Sequence, residues 1–397
     1  MDRIEELLSR GVANIIPGKE ELIKALKVEK KLNIYLGIDP TAPRIHLGHA
    51  FPLRKLQILA DMGHNVTLLI GDFTALVGDT SDKDAERPIL TKDQIKENFN
   101  TYKNQAEKLL DFSKIKVRYN SEWLEKLTFA ELIKLQQQFS LNDFISRELI
   151  KKRLETGKRV RFDEMSYPLM QGFDSYFMDT DIQFGGTDQT FNMQAGRTLQ
   201  KVLRNKESFV ITNTFLDGTD GRKMSKSWGN AIWLDDSPID MYAKVMAITD
   251  EIIVQFYTLA TNALLEEVKE VEIALEKGEN PMKIKKELAF KIVEELHGGD
   301  AAELGKKHFE RTVQDKQIPS DIPTTSVDMD STIADVLVES GLAASKSDAK
   351  RLIEQGGVEI DNARITDPAL TFETLAKNDE TIIQVGKRRF VKVKMLR

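Results

Sequence analysis

The chain has no cysteine. That excludes disulfides, a thiolate nucleophile and any cysteine-ligated zinc site. No apolar run approaches the roughly 20 residues that a membrane helix needs. The opening Met1-Asp2-Arg3-Ile4-Glu5-Glu6 is acidic and helical in pattern, unlike a secretory leader, so the expected location is the cytoplasm. There is no Walker phosphate loop and no nucleophilic-serine elbow, which removes support for the commoner nucleotide-binding and acyl-transfer designs. Internal repeats and low-complexity tracts are also missing. Strong net charge is lacking too: the value of −6 argues against a protein coated in nucleic acid, although local distribution matters more than the sum.

An apolar fraction of 41% and a charged fraction of 30% over 397 residues describe a globular protein. At about 150 residues per domain the length implies two or three cores. Charge asymmetry appears at one end. Gly386 to Arg397 carries six basic side chains and no acidic one, which points to a polyanionic partner there.

Residues 33–38 read as a strand, about 48–62 as a helix, and Val66-Thr67-Leu68-Leu69-Ile70 as a buried strand. Apolar strands separated by helices predict a parallel sheet with right-handed crossovers. Further strands are expected at 115–119, 181–184 and 208–213. Such sheets bind ligands beyond their carboxyl ends, where the loop 39–45 falls. Between about 120 and 165 the pattern turns helical, with Ser121 and Thr128 as N-cap candidates and Glu131 completing a capping box after Thr128. Its apolar positions (Phe139, Leu141, Phe144, Ile145, Leu149) suit either a partner surface or the core. From Ser237 to about Phe309 four or five helices form a bundle, the first entered through Ser237-Pro238. Residues 316–330 read as a linker. The rest is an α+β module, with helices at about 332–340 and 346–355 and strands around 358–360, 381–385 and 389–393.

The loop from Tyr35 to His49 runs from an apolar strand into a helix start. His46 and His49 lie three apart, on one face of that helix. They could be metal ligands, but no third partner is near; they could be core residues; or they could seat phosphate and ribose, with Gly48 letting a nucleotide approach the backbone. Lys223-Met224-Ser225-Lys226-Ser227, bracketed by Gly218, Gly221 and Gly229, is either a solvated charge run or a mobile pyrophosphate contact that acts as charge develops. Tyr167, Gln171 and Asp174 fall at i, i+4 and i+7 after a helix start marked by Pro168. They form either an ordinary amphipathic face or a pocket for a small polar–aromatic molecule. Gln183-Phe184-Gly185-Gly186-Thr187-Asp188-Gln189 has the form of a strand end leading into a ribose-binding turn.

Together these motifs resemble those of the bacterial tyrosyl-tRNA synthetases, in the class I subgroup whose lysine loop is spelled KMSKS, over essentially the whole chain. The resemblance implies an α/β protein: a Rossmann-like parallel-sheet catalytic domain at 1–232 with the helical insertion, an α-helical anticodon-binding domain at 233–315, the linker, and a C-terminal domain at 331–397 similar to the RNA-binding domain of ribosomal protein S-four. It further implies activation of L-tyrosine with ATP, then transfer to the terminal ribose of tRNA(Tyr) at the 2′-hydroxyl. Magnesium would travel with ATP, with no protein-held metal. Homodimerisation would run through the insertion.

Carried over residue by residue, Tyr35 and Asp174 would meet the substrate phenol. Asp79, Tyr167 and Gln171 would hold its ammonium group, and Gln189 would lie near its carboxyl end. Asp39, Gly48, His49, Gln183 and Asp188 would line the adenylate site. Thr41 and His46 would touch the γ-phosphate. Lys83, Arg87, Lys223 and Lys226, with Ser225 beside them, would serve ATP and the leaving pyrophosphate. Lys346, Lys350 and Arg351, with Lys387, Arg388 and Arg389, would meet RNA phosphates. A tryptophanyl-type synthetase shares this plan, but Tyr35, the 167–174 set and the C-terminal module favour tyrosine. A noncatalytic RNA-binding scaffold would have degraded motifs, and all are intact here.

Overall fold

In the first of two compact units, Met1–Gly299, apolar runs buried on both faces build one six-stranded sheet. The computed structural model describes residues 3–79, 90–225, 228–314, 322–328, 331–361, 363–371, 380–386 and 389–395. The strands are β1 (Val12–Ile16), β2 (Asn33–Ile38), β3 (Asn65–Ile70), β4 (Ile115–Tyr119), β5 (Ile182–Gly186) and β6 (Phe209–Asn213), in the order β1-β6-β5-β2-β3-β4. Every neighbouring pair is parallel except β1 with β6. Ile34, Leu68, Leu69, Ile182, Val210 and Ile211 are all buried, which explains runs without polar alternation. The strand at the N-terminal edge was not legible in the sequence.

The chain order reverses between β2 and β5, so the carboxyl ends of β2, β3, β4 and β5 open around one switch point. The helix Leu47–Asp61 packs behind it. In the insertion, Thr128 caps Phe129–Gln136 with the expected box: its hydroxyl accepts from the Glu131 amide, and the Glu131 carboxylate accepts from the Thr128 amide at 2.8 Å. Ser121 differs from expectation. It is the first residue of the short helix Ser121–Leu124, not its cap, because its amide and hydroxyl both donate to Asp72 (2.9 and 2.6 Å). An ionised carboxylate at the end of β3 is a stronger acceptor than the serine hydroxyl is a cap.

Helices Pro238–Met246, Ile253–Ala260, Leu265–Glu276 and Pro281–His297 complete this unit. The Ser237 hydroxyl caps the first by accepting from the Asp240 amide at 3.1 Å. Arg54 of helix Leu47–Asp61 reaches Glu295 of helix Pro281–His297 at 3.0 Å, both largely buried, and Glu295 also accepts from the Asn262 amide. That pair ties the bundle to the sheet.

The second unit, Asp300–Arg397, is α+β. Helices Ile333–Glu339 and Lys346–Glu354 cover a sheet of β7 (Thr324–Val327), β8 (Val358–Ile360), β9 (Ala363–Ile365), β10 (Glu380–Val385) and β11 (Arg389–Met395), ordered β7-β11-β10-β8-β9. Ile333, Leu337, Ile353, Val358, Ile383 and Val393 form its core. The expected linker 316–330 therefore contributes a strand: Thr324–Val327 pairs in parallel with β11. Its Thr-Thr-Ser-Val composition conceals a single buried residue, Val327. Among the described residues no helix is long and apolar enough to cross a membrane.

Candidate active site

Each strand end at the switch point delivers a polar group. Asp39 follows β2, Asp72 and Thr74 follow β3, Asn120 and Trp123 follow β4, and Asp188 and Gln189 follow β5. Beside them stands helix Tyr167–Phe177, with Pro168 in its first turn. Its Asp174 is 2% exposed, inside an apolar cluster that includes Tyr35, Leu69, Trp123, Tyr167 and Met170. The Asp174 carboxylate accepts from the Trp123 indole at 2.7 Å and from the Asn120 amide at 3.1 Å. Burial raises its pKa to about 7, against those two hydrogen bonds, which lower it. The indole is itself fixed, stacked on Phe177 at 4.7 Å with Arg118 over its ring.

Asn120 is fully buried and uses every arm of its side chain. Its oxygen accepts from the Phe73 amide, and its Nδ2 donates to Thr74 as well as to Asp174. The Thr74 hydroxyl donates on to Asp39 at 2.8 Å, and the other Asp39 oxygen accepts from the Tyr167 hydroxyl at 2.8 Å. One hydrogen-bonded chain therefore runs Asp174–Asn120–Thr74–Asp39–Tyr167. Gly71 makes the crossing possible, since a Cβ there would sit 2.0 Å from Asp39 Oδ1. Neither Asn120 nor Trp123 was singled out from the sequence. The only signal was a polar residue at a strand end, which reads as a capping site.

Other expected pairs are arranged differently. The Tyr35 hydroxyl donates to Gln183 at 3.1 Å, its cross-strand neighbour, rather than to Asp174. Burial, then the Asp174 charge, holds that phenol well above its ordinary range. Gln183 is fully buried and donates to the Met193 carbonyl. Asp79, also buried, accepts from Gln189 at 2.6 Å. The Gln171 side chain is half-buried and makes no hydrogen bond among the described residues. Thr41 lies on the loop after β2, its amide donating to the Asp39 carbonyl. Lys83, Arg87, Lys226, Lys387 and Arg388 lie outside the described residues.

His46 is the N-cap residue of helix Leu47–Asp61 and His49 sits in its first turn, their rings 4.0 Å apart. A Cβ on Gly48 would lie 3.0 Å from the His46 ring. Burial lowers the His46 pKa to about 2 and that of His49 to about 4, and the Lys223 charge adds to both shifts. Both imidazoles are therefore neutral at pH 7, and the Nδ1 of each is buried with no hydrogen-bond partner among the described residues. Phosphoryl chemistry at this turn should show no titration of these two histidines above pH 6; a rate profile with an imidazole inflection near pH 6.5 would contradict this placement. Lys223 stands over the Phe215 ring at 4.3 Å and 4.0 Å from Asp188. A β-bridge joins His46 to Trp233, downstream of the lysine loop. The histidine turn, the acid at the ribose-type turn and the lysine loop thus converge. Among the described residues no group of three or more His, Asp or Glu side chains is placed to hold a metal ion.

In the second unit Lys346 pairs with Asp335 at 2.5 Å and Arg351 with Asp348 at 2.6 Å, all four on or beside the paired helices. Lys350 is exposed and makes no ion pair among the described residues. Arg389 donates to the Leu342 carbonyl at 2.7 Å.

The family model of class I tRNA synthetases (W and Y) matches residues 27–314. That of the tyrosine–tRNA ligase SYY-like C-terminal domain matches 314–393. The tyrosine–tRNA ligase of Thermotoga maritima is 42% identical over 390 residues, covering 98% of this chain and 96% of the relative. That of Dehalococcoides mccartyi is 40% identical over 395 residues, covering 98% of each. Among solved structures, a C-terminally truncated mitochondrial tyrosyl-tRNA synthetase of Aspergillus nidulans superposes with a TM-score of 0.64 at 24% identity, over 77% of this chain and 93% of the other. The tyrosyl-tRNA synthetase of Archaeoglobus fulgidus complexed with L-tyrosine gives 0.60 at 22%, over 76% and 98%. Both share the fold.

Proposed function

The chain belongs to the class I tRNA synthetases of the tryptophan and tyrosine type, and we propose how its residues divide the work of a tyrosine–tRNA ligase. The enzyme activates L-tyrosine with ATP to tyrosyl-adenylate and pyrophosphate, then transfers tyrosine to the 3′-terminal ribose of tRNA(Tyr). In the first step a carboxylate oxygen attacks the α-phosphorus and the bond to the β-phosphate breaks. Neither group needs a strong acid or base, so positioning and electrostatics dominate.

The observation that carries the assignment is the chain from Asp174 to Asp39 through Asn120 and Thr74. It joins an apolar cluster holding one buried carboxylate, suited to a phenol, to the turn that faces the nucleotide. Asp174 takes the phenol hydroxyl, with Tyr35 packed beside it. Asp79, Tyr167 and Gln171 receive the ammonium group, and Gln189 the carboxyl end. Asp39, Gly48, His49, Gln183 and Asp188 line the adenylate. Thr41 and neutral His46 hydrogen-bond the γ-phosphate, and Lys83, Arg87, Lys223, Ser225 and Lys226 attend the departing pyrophosphate. Magnesium enters bound to ATP. Pyrophosphate exchange measured with each amino acid tests the assignment: tyrosine alone should support exchange, and exchange with tryptophan, or with none, would overturn it.

Residues 1–232 are the catalytic domain, 233–315 meet the anticodon, and 331–397 grip the tRNA through backbone contacts from Lys346, Lys350 and Arg351. Because Lys350 makes no ion pair among the described residues while the other two do, it contributes most. Lys350→Ala should weaken tRNA binding and cut the slope of log K against log salt by about 1; an unchanged slope would remove it from the interface.

The enzyme works in the cytoplasm as a homodimer through residues 120–165. Phe129 and Phe162 there are 77% and 82% exposed, with Leu141 and Leu154 also exposed, more apolar surface than a lone helical insertion should present to water. Phe162→Glu should shift sedimentation from dimer to monomer at micromolar concentration. A monomeric parent would refute the dimer.

A further inference from the structure

Asn230 lies three residues beyond the lysine loop and is 3% exposed. Its carboxamide binds the first half of that loop and the turn before it. The oxygen accepts from the Ser225 amide at 2.9 Å. The nitrogen donates to Asp220 Oδ1 at 2.7 Å and lies 3.3 and 3.4 Å from the Lys223 and Arg222 carbonyls. Its own carbonyl accepts from the Thr219 amide at 3.0 Å. Gly218 closes the arrangement: its amide donates to the Arg222 carbonyl, and a Cβ there would sit 2.3 Å from the Asn230 carboxamide. Two residues further on, the Ile232 carbonyl accepts from the Leu47 amide at 2.9 Å, beside the bridge from Trp233 to His46. The same short segment thus grips the lysine loop on one side and the histidine turn on the other.

We propose that Asn230 is a positioning residue for adenylate formation, holding the backbone at Lys223 and Ser225 in register with His46 and His49 so that the lysine meets the phosphate chain. None of its hydrogen-bond partners is a residue assigned above to tyrosine, so its effect falls on the chemical step. The inference rests on the reading of the lysine loop as the pyrophosphate contact. Only an amide fits the position: one end must accept from an N–H while the other donates to a carboxylate and two carbonyls. Aspartate keeps the acceptor but sets a second negative charge against Asp220. Alanine frees the Ser225 amide and the Asp220 turn together.

The test is tyrosine-dependent pyrophosphate exchange and single-turnover adenylate formation in N230A, N230D, K223A and the N230A/K223A double variant. N230A should slow adenylate formation by about 10²-fold, the scale of a small misplacement in an active site. Its KM for tyrosine should stay within about twofold, since binding of that substrate is not touched. N230D should be at least as slow as N230A. The double variant should be little worse than K223A, because both substitutions act through one lysine. Adenylate formation in N230A within about threefold of the parent, a tyrosine KM rising in step with the lost rate, or losses that multiply in the double variant would each overturn the proposal. If N230A does not fold, the nearly isosteric N230D carries the same readings. Normal exchange in K223A would instead overturn the lysine-loop reading itself, whereas impaired K223A beside normal N230A would overturn only the role of Asn230.

Discussion

Asp174→Ala should collapse the preference for tyrosine over phenylalanine to about 10² or less, from the figure of about 10⁵ that is the established example for this enzyme class, while KM for ATP changes little. The reason lies in what surrounds the carboxylate. An apolar pocket can favour a substrate only through area and shape, and one hydroxyl is worth little there. A buried acceptor changes the balance, because phenylalanine would displace water from Asp174 without replacing its hydrogen bond. Asn120 and Trp123 fix the direction in which the remaining lone pairs point, so the hydroxyl is sought at one place. Adenylate kinetics with both amino acids measure the change. Unchanged discrimination would remove Asp174 from the phenol site.

The same burial makes stability depend on pH. Asp174 has a pKa of about 7 in the folded enzyme against 3.8 for the free side chain. Between those values the folded state holds a proton that the unfolded chain has lost. Stability from this group is therefore fully present below about pH 4 and is lost as pH rises to about 7, by on the order of 4 kcal/mol. Asp174→Asn has no such proton to lose. Denaturation midpoints of parent and variant should converge at low pH and separate towards neutrality, the parent declining more steeply; parallel curves would show that the carboxyl titrates normally.

How far the sequence foretold this site depends on which interactions are local. The βαβ opening, the histidine turn, the Thr128 box and the helix carrying Tyr167, Gln171 and Asp174 all follow from spacing within a few residues, and the fold places them as that spacing implies. Strand β1 was missed because Val12–Ile16 acquires its identity only by pairing antiparallel with β6, about 200 residues away. Strand β7 reads as linker because its composition is polar and only its parallel partner makes it a strand. The polar chain was half legible. Asp174, Asp39 and Tyr167 stand in recognisable motifs, while Asn120 and Thr74 matter only because β3 and β4 finish side by side. Tyr35 was placed correctly on β2, yet its hydroxyl goes to Gln183, a partner fixed by strand register rather than by any motif.

Pairing beyond helical spacing also hides the residue whose loss should cost the most stability. Arg153→Ala is expected to destabilise the protein by about 3–5 kcal/mol. In the run Lys151-Lys152-Arg153 nothing in the sequence separates one cation from its neighbours, but the fold exposes Lys151 and Lys152 and leaves the Arg153 side chain 1% accessible. Its guanidinium takes Glu164, which is wholly buried, at 2.6 and 3.0 Å, and it also donates to the Arg159 carbonyl. Glu164 accepts in addition from the Arg161 amide at 2.9 Å, and the Arg161 side chain donates to the Val77 carbonyl, two residues before Asp79. Glu164 itself lies on the 3₁₀ turn Phe162–Ser166 that leads directly into the Tyr167 helix. Truncating the arginine takes the forked cation from a wholly buried carboxylate, and the cost is that of the uncompensated buried charge more than of the lost contact. Removing both partners, as in Arg153→Met with Glu164→Leu, should therefore recover most of the loss, although Arg153→Ala is only one substitution and the pair is two. Arg153→Lys should fall between, since a single ammonium cannot reproduce the forked contact. Because the pair supports the start of helix Tyr167–Phe177, which we propose binds tyrosine, Arg153→Ala should also raise KM for tyrosine more than KM for ATP. Urea denaturation of the three variants decides the matter: a cost below about 1 kcal/mol for Arg153→Ala, or a double variant no better than the single one, would mean that the pair is not what holds this turn in place.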